Sequence, residues 1–177
     1  MLKVIKYICC RIDNYVDFSP TGEEHAPSGF PFYEYGSKDA LLYGFEFSAD
    51  MESDTWTAGT GFDYVRGRER SGDRNSLTFI PPFRTHISLI YDNGSFWLGP
   101  RLRIVNSQQK VAPNEEPTDG YLLAGADAGY RIGYGLILSL RLDNLFNERY
   151  RDHLSRVENR EAPIPGQNLN AMLRWDF

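Results

Sequence analysis

The C-terminal stretch alternates without a break. Leu169, Ala171, Leu173, Trp175 and Phe177 fall on one side of an extended chain, and Asn168, Asn170, Met172, Arg174 and Asp176 on the other. Side chains of a strand point alternately to opposite faces, so this pattern specifies a sheet with one apolar and one polar face. It recurs upstream. Leu136, Leu138, Leu140 and Leu142 oppose Ile137, Ser139, Arg141 and Asp143, while Leu122, Ala124, Ala126, Ala128, Tyr130 and Ile132 oppose Asp127 and Arg131. Phe96, Leu98, Leu102 and Ile104 oppose Arg101 and Arg103. Trp56, Phe62 and Tyr64 oppose Asp63, and Tyr43, Phe45 and Phe47 oppose Glu46 and Ser48.

Eight strands are expected in all, at residues 4–18, 40–50, 55–66, 83–91, 95–109, 121–132, 136–150 and 167–177. The chain is thus an all-β antiparallel meander. The longest apolar run, near residues 136–140, is broken by Ser139 and Arg141, far short of the roughly 20 apolar residues of a transmembrane helix. A soluble sandwich would use strands of about five or six residues. Segments of about ten suit a tilted crossing of a bilayer, with the apolar face in lipid and the charged face lining a lumen. Tyr43, Trp56, Tyr64, Trp97, Tyr130 and Trp175, near strand ends, are expected to form interfacial girdles.

The connections test this reading, because such barrels have short periplasmic turns and long external loops. Short links at 51–54, 92–94 and 133–135 alternate with long polar links at 19–29, 67–82, 110–120 and 151–166. Asp92-Asn93-Gly94 is itself a hairpin signal. With the C-terminus inside, every long link lies outside the cell. The net charge of -5 argues against a nucleic-acid partner, which calls for a basic surface. Cys9 and Cys10 are adjacent and point to opposite faces, so a disulfide between them would strain the backbone. Residues 1–8 hold no export signal, so an incomplete gene or a shortened chain is expected for an exported protein.

Asn144-Leu145-Phe146-Asn147-Glu148-Arg149-Tyr150, and Pro165-Gly166-Gln167-Asn168 after it, resemble two stretches of the TonB-dependent receptors of the Gram-negative outer membrane: the family's N-L-F-N-x-x-Y before the last external loop, and its P-G-R-N opening of the final strand, with Gln167 where Arg is usual. Ile80-Pro81-Pro82-Phe83-Arg84 resembles I-P-P-x-R, Asn114-Glu115 with Thr118-Asp119-Gly120-Tyr121 resembles N-E-x-x-T-x-G-Y, and Ala40 with Gly44 and Glu46 resembles A-x-x-x-G-x-E. Ile12-Asp13-Asn14-Tyr15 with Pro20-Thr21-Gly22 resembles an earlier strand and loop. His153-Leu154-Ser155 with Pro165-Gly166 leans toward receptors for metals or metal chelates.

The resemblance implies a barrel of about 22 strands filled by an N-terminal plug, with uptake driven from the inner membrane through TonB. The whole chain, residues 1–177, would be the C-terminal barrel segment, an open arc without plug or TonB box, engaging TonB only through the missing plug. Its partners would be the lipid bilayer, lipopolysaccharide, the barrel assembly machinery and, in the full-length protein, a metal-chelate substrate; no cofactor is expected. Phe177, with Trp175 and Leu173, resembles the assembly signal of such barrels.

Candidate ligand-binding residues lie in the long links. His25 stands beside Glu23 and Glu24, and His153 beside Asp152. Imidazole with carboxylate suits Zn or Fe, although a solvated polar loop is the plainer reading. Arg66, Arg68, Arg70 and Arg74 make the second long link basic, suited to lipopolysaccharide phosphate, to an anionic chelate or simply to solvent. His86 is expected on the lumen wall, as are Gly44, Gly59, Gly61, Gly125 and Gly129, which would allow curvature. No nucleophile elbow, Walker loop or H-E-x-x-H occurs, so the chain is not expected to be an enzyme. The alternatives are a complete eight-stranded anchoring or adhesive barrel and, less favoured, a barrel hydrolase.

Overall fold

The structure is a computed structural model and describes residues 2–27, 29, 31–155 and 165–177. It contains β1 (Leu2–Glu24), β2 (Pro31–Glu52), β3 (Trp56–Glu69), β4 (Arg84–Asp92), β5 (Phe96–Val105), β6 (Tyr121–Gly133), β7 (Leu136–Asp143) and β8 (Asn168–Trp175), with no helix among the described residues. The strands form one sheet in sequence order, each antiparallel to the next. No ladder joins β1 to β8 among the described residues, so the meander is an open arc, as expected.

Three boundaries depart from expectation. The first long link is largely strand: β1 and β2 continue as a two-stranded ribbon to Glu24 and Pro31. Pro20, Gly22 and Pro31 signal a loop there, but the ring of Phe18 meets Tyr33 edge-on at 5.4 Å and Tyr35 at 6.2 Å, and such cross-strand aromatic pairs hold a ribbon together. At the other end, β7 stops at Asp143 because Asn144 takes a left-handed φ of 50°, and β5 stops at Val105. Part of the fourth long link, residues 156–164, lies outside the described residues.

The register sorts side chains into two faces. Tyr43, Phe45 and Phe47 of β2 share the apolar face with Phe62 and Tyr64 of β3, where Phe47 stacks on Phe62 at 5.6 Å and Phe45 lies 5.9 Å from Tyr64. Toward the short-turn end, Trp56 lies 5.0 Å from Tyr91, which lies 5.7 Å from Phe96, and Phe96 pairs with Tyr130. Trp97 does not belong to that row. It pairs with Asp92 and Gly129 on the polar face, where the Arg131 guanidinium sits 4.9 Å above its ring. The alternation of β5 dictates this, since Phe96 and Leu98 take the apolar side. Gly129 is required there: a Cβ would come within 1.9 Å of the indole.

Among the described residues nothing packs against the apolar face, so the soluble sandwich is not formed. Leu98, Tyr130, Leu173 and Trp175 are more than half exposed. The small buried core lies instead beneath the second long link, where Ala40, Leu77 and Ile80 pack with Ile12, Tyr15 and Leu42.

Candidate functional site: the polar wall and the loop cluster above it

The polar face is lined by ion pairs. Arg84 Nε meets Asp63 at 2.6 Å, Arg141 Nε meets Asp127 at 2.8 Å, and Arg101 pairs with both Asp127 and Asp143, the latter at 3.0 Å. Arg131 grips Asp92 with two hydrogen bonds of 2.9 and 2.7 Å. Arg103 lies 3.8 Å from Asp152. Arg84, Arg101 and Arg141 each meet an aspartate on the adjacent strand, Arg101 and Arg131 also reach Asp143 and Asp92 two strands away, and Arg103 faces Asp152 in the loop after β7. Such fork-to-carboxylate contacts fix orientation. Between them lies a trough of about 590 Å³, lined by His86, Ser88, Arg101, Arg103, Asn144 and Tyr150 among others. Gly59, Gly61 and Gly125 also line it, leaving its floor clear.

Above the trough the long links are tied together. Glu115 is the knot: its carboxylate accepts the N–H of Phe79 at 2.7 Å and of Ala112 at 3.1 Å, and lies 3.8 Å from His153 Nε2. His153 Nδ1 is 3.3 Å from the Thr118 hydroxyl. Gln108 exchanges backbone hydrogen bonds with Thr118 and donates its side-chain amide to Ile80 O at 2.8 Å. Burial pushes the His153 pKa below its usual value, helped by Arg151 and opposed by Glu115 and Asp152. Arg151 in turn pairs with Glu116 at 3.0 Å.

The segment resembling N-L-F-N-x-x-Y forms a clasp between β7 and β8. Buried Asn144 donates to Glu148 O at 2.9 Å and Pro165 O at 3.2 Å and accepts from the Glu148 N–H at 2.8 Å. Asn147, at φ 52°, accepts the Gln167 N–H at 3.1 Å. Asparagine tolerates the left-handed region better than other side chains, which explains its presence at both positions. Leu145 N–H donates to Ala124 O at 2.7 Å, and the Tyr150 ring lies 4.3 Å from Tyr121. Phe146 is exposed, Gly166 approaches Asn147 closely, and Asn168 pairs with Asp143 at the start of β8. Gln167 donates to Leu145 O at 3.1 Å. These residues act as structural ties.

The ligand candidates are scattered. His25 stands near the tip of the first ribbon with its ring 6.1 Å from Phe32, and Glu23 and Glu24 are exposed beside it. His153 is instead buried within the loop knot. No three His, Cys, Asp or Glu side chains come together as a metal-binding group among the described residues. Arg70 pairs with Asp13 at 2.6 Å, and Arg68 forms a backbone bridge with Ser76. Phe177 and Trp175 lie exposed with rings 5.8 Å apart, beside exposed Leu173. Sequence reasoning missed the buried Asp17, which pairs with Lys38 at 3.2 Å and accepts a hydrogen bond from the Thr78 hydroxyl; only the register after the bulge at residues 13–14 reveals it. Cys9 and Cys10 are free and exposed.

An open antiparallel meander with one apolar face, one face of paired ions and tied loops at a single end defines a β-barrel wall of the outer-membrane type. A family model described as "TonB dependent receptor-like, beta-barrel" matches residues 11–145, and the chain belongs to the TonB-dependent receptors. That family resides in the Gram-negative outer membrane and consists of transport receptors. No curated protein matches. Among solved structures, the copper transporter OprC superposes with a TM-score of 0.87 at 20% identity, over 99% of this chain and 28% of that one. The FrpB iron transporter from Neisseria meningitidis (F3-3 variant) gives 0.69 at 19% identity, over 96% and 28%. The ferric-catecholate import receptor Fiu from E. coli K12, in its closed form, gives 0.59 at 21% identity, over 84% and 21%. These likenesses concern the fold, and the chain spans under a third of each of those proteins.

Proposed function

We propose that this chain supplies the C-terminal part of the barrel, and four of its outward links, to a receptor that imports a metal chelate such as an iron siderophore, or a metal ion, with the plug and the TonB contact contributed from outside residues 1–177. The observation that carries the reading is the two-faced single layer: an apolar face on which no described residue forms a second layer, backed by a polar face whose ion pairs border an open trough. The structural neighbours that transport copper and iron favour a metal-bearing substrate. Lipopolysaccharide and the barrel assembly machinery are the corresponding partners on the lipid side, with Phe177, Trp175 and Leu173 as the assembly signal. His25, Glu23, Glu24, Arg68, Arg70 and His153 remain ligand candidates under this proposal, His25 being the more accessible imidazole.

A complete eight-stranded barrel would require β1 to pair with β8, and the described strands do not. A barrel hydrolase would need an accessible nucleophile, whereas the hydroxyl–imidazole–carboxylate chain of Thr118, His153 and Glu115 is buried under the loops. Uptake of labelled ferric siderophores and of copper tests the proposal in cells carrying the receptor that contains this chain. Accumulation should require a functional TonB system and disappear when that receptor is deleted. Accumulation of every such solute unchanged by the deletion would reject it.

A further inference from the structure

We propose that Arg66 and Arg68, with Arg11, form a binding site for the phosphate groups of an outer-leaflet lipid on the outside of the barrel wall. The inference rests on the receptor reading insofar as that reading turns the apolar face toward lipid. It starts from a contrast between the two faces. Arg84, Arg101, Arg103, Arg131 and Arg141 on the polar face all pair with aspartates. Arg11, Arg66 and Arg68 sit on the apolar face by register, and no carboxylate among the described residues lies within ion-pair distance of any of them.

Their height is equally telling. Below Arg66 the outward positions of β2 to β8 carry no charge; in β3 they are Trp56, Ala58, Thr60, Phe62 and Tyr64. From Trp56 to Arg66 is ten residues, which at a rise of about 3.3 Å and a tilt of about 40° spans about 25 Å, the height of the apolar band of such barrels. Trp56 belongs to the aromatic row at the short-turn end, so Arg66 emerges where the opposite headgroups begin. Arg68 stands one repeat higher. Arg11 pairs with Leu41, which pairs with Arg68, so two strand spacings, about 10 Å, separate the two arginines.

The Arg66 guanidinium is also held in place. It donates to Lys110 O at 3.0 Å and to Ser76 Oγ at 3.1 Å, both neutral acceptors that leave its charge uncompensated. Guanidinium is the side chain best matched to phosphate, giving paired charge-assisted hydrogen bonds. A cationic row at the edge of a hydrocarbon-facing surface meets lipid phosphates before any soluble anion, because acyl chains seated on Tyr43, Phe45, Phe62 and Tyr64 bring the headgroups to it.

The test uses the complete receptor in detergent, with bisphosphorylated lipid A, its dephosphorylated form and inorganic phosphate as separate probes, and bound lipid read by native mass spectrometry. The wild type should hold the bisphosphorylated lipid at least tenfold more tightly than the dephosphorylated form. Arg66→Gln with Arg68→Gln should abolish that preference, and Arg66→Lys with Arg68→Lys should restore part of it. Arg70→Gln should not alter it, since Arg70 already pairs with Asp13. Heat-modifiable gel migration reports barrel integrity. Should the double variant fail to fold, exposed Arg11→Gln, which breaks no hydrogen bond, should still reduce the preference severalfold. Equal binding of both lipids by the wild type, a preference surviving the folded variants, or displacement of the lipid by millimolar phosphate would overturn the site. Uptake assays run in parallel separate the two ideas: lipid binding without any TonB-dependent uptake would sink only the receptor proposal.

Discussion

The carboxylate of Glu115 accepts the backbone N–H of Phe79 at 2.7 Å, joining the loop after β5 to the loop after β3. The same carboxylate accepts the N–H of Ala112 and lies beside His153, so one side chain holds three long loops in register. A long loop resting on so few ties depends strongly on each, because a buried donor left without an acceptor costs about 1–3 kcal/mol.

Replacing Glu115 with Ala should therefore free the loops without unmaking the sheet. Hydrogen exchange at Phe79 and Ala112 is expected to accelerate by one to two orders of magnitude, while exchange in β4 and β5 stays unchanged. Unaltered protection at Phe79 would show that the tie contributes nothing.

Acid should loosen the same cluster. Burial favours the neutral form of His153 and lowers its pKa, whereas in an opened loop it titrates near its ordinary value of about 6.5. The open form thus binds more protons between those two pKa values. The contribution of His153 to loop closure is complete above about pH 6.5 and is lost as pH falls through the lowered value. Loop exchange or protease nicking measured from pH 7.5 to 5 should rise, and His153→Gln should flatten the dependence. A wild-type profile as flat as the variant's would contradict this.

At the clasp, Asn144 satisfies two requirements together, a left-handed backbone and three hydrogen bonds. Asn144→Gly keeps the first and loses the second, while Asn144→Ala loses both. Each should release Glu148 and Pro165, at a cost of about 1–3 kcal/mol for the bonds, and the Ala variant should show the lower denaturant midpoint. Equal midpoints would mean that the backbone conformation carries no penalty there.

Much of this was legible in the sequence, and the part that was not has a physical reason. Alternation in residues 122–142 and 169–177 gave both faces of β6 to β8, because period two is a property of the chain itself. The hairpin at Asp92-Asn93-Gly94 was equally local, with Gly94 at φ 86° and its N–H bonded to Asp92. The burial of His153 was not legible: its partners Thr118 and Glu115 lie in another loop, and a histidine beside an aspartate in a long polar link reads as solvated. The ribbon of β1 and β2 was hidden by prolines that a two-stranded edge tolerates. Asn144 and Asn147 were found through family resemblance, but their role as ties depends on partners at Glu148, Pro165 and Gln167 that only the fold brings to them.

The long links gather at a single end, and the receptor proposal turns that end outward. A cysteine introduced at Ser71, in the exposed loop after β3, should react with a membrane-impermeant maleimide on intact cells carrying the complete receptor. One at Asn93, in the turn between β4 and β5, should react only after the outer membrane is opened. The reverse labelling would invert the topology.

The two free edges lead to the last prediction. β1 presents 23 residues with one neighbour only, and β8 presents eight. In lipid an unpaired backbone group costs several kcal/mol, and in water such an edge is a template for further strands. Closing β1 onto β8 would require the tight curvature and shear of an eight-stranded barrel. The polar wall argues against that closure, since its arginines are already matched to aspartates within the open sheet and its trough lies open. Residues 1–177 exported with an added signal peptide are thus expected to associate through their edges into ladders of oligomers, and to restore no energy-dependent chelate uptake in a receptor-null strain. Supplying the remaining strands and plug in trans should reduce the oligomers by covering β1 and β8. A monodisperse, heat-modifiable monomer with slow amide exchange along all of β1 would show instead that the edges find each other, and would revive the small closed barrel.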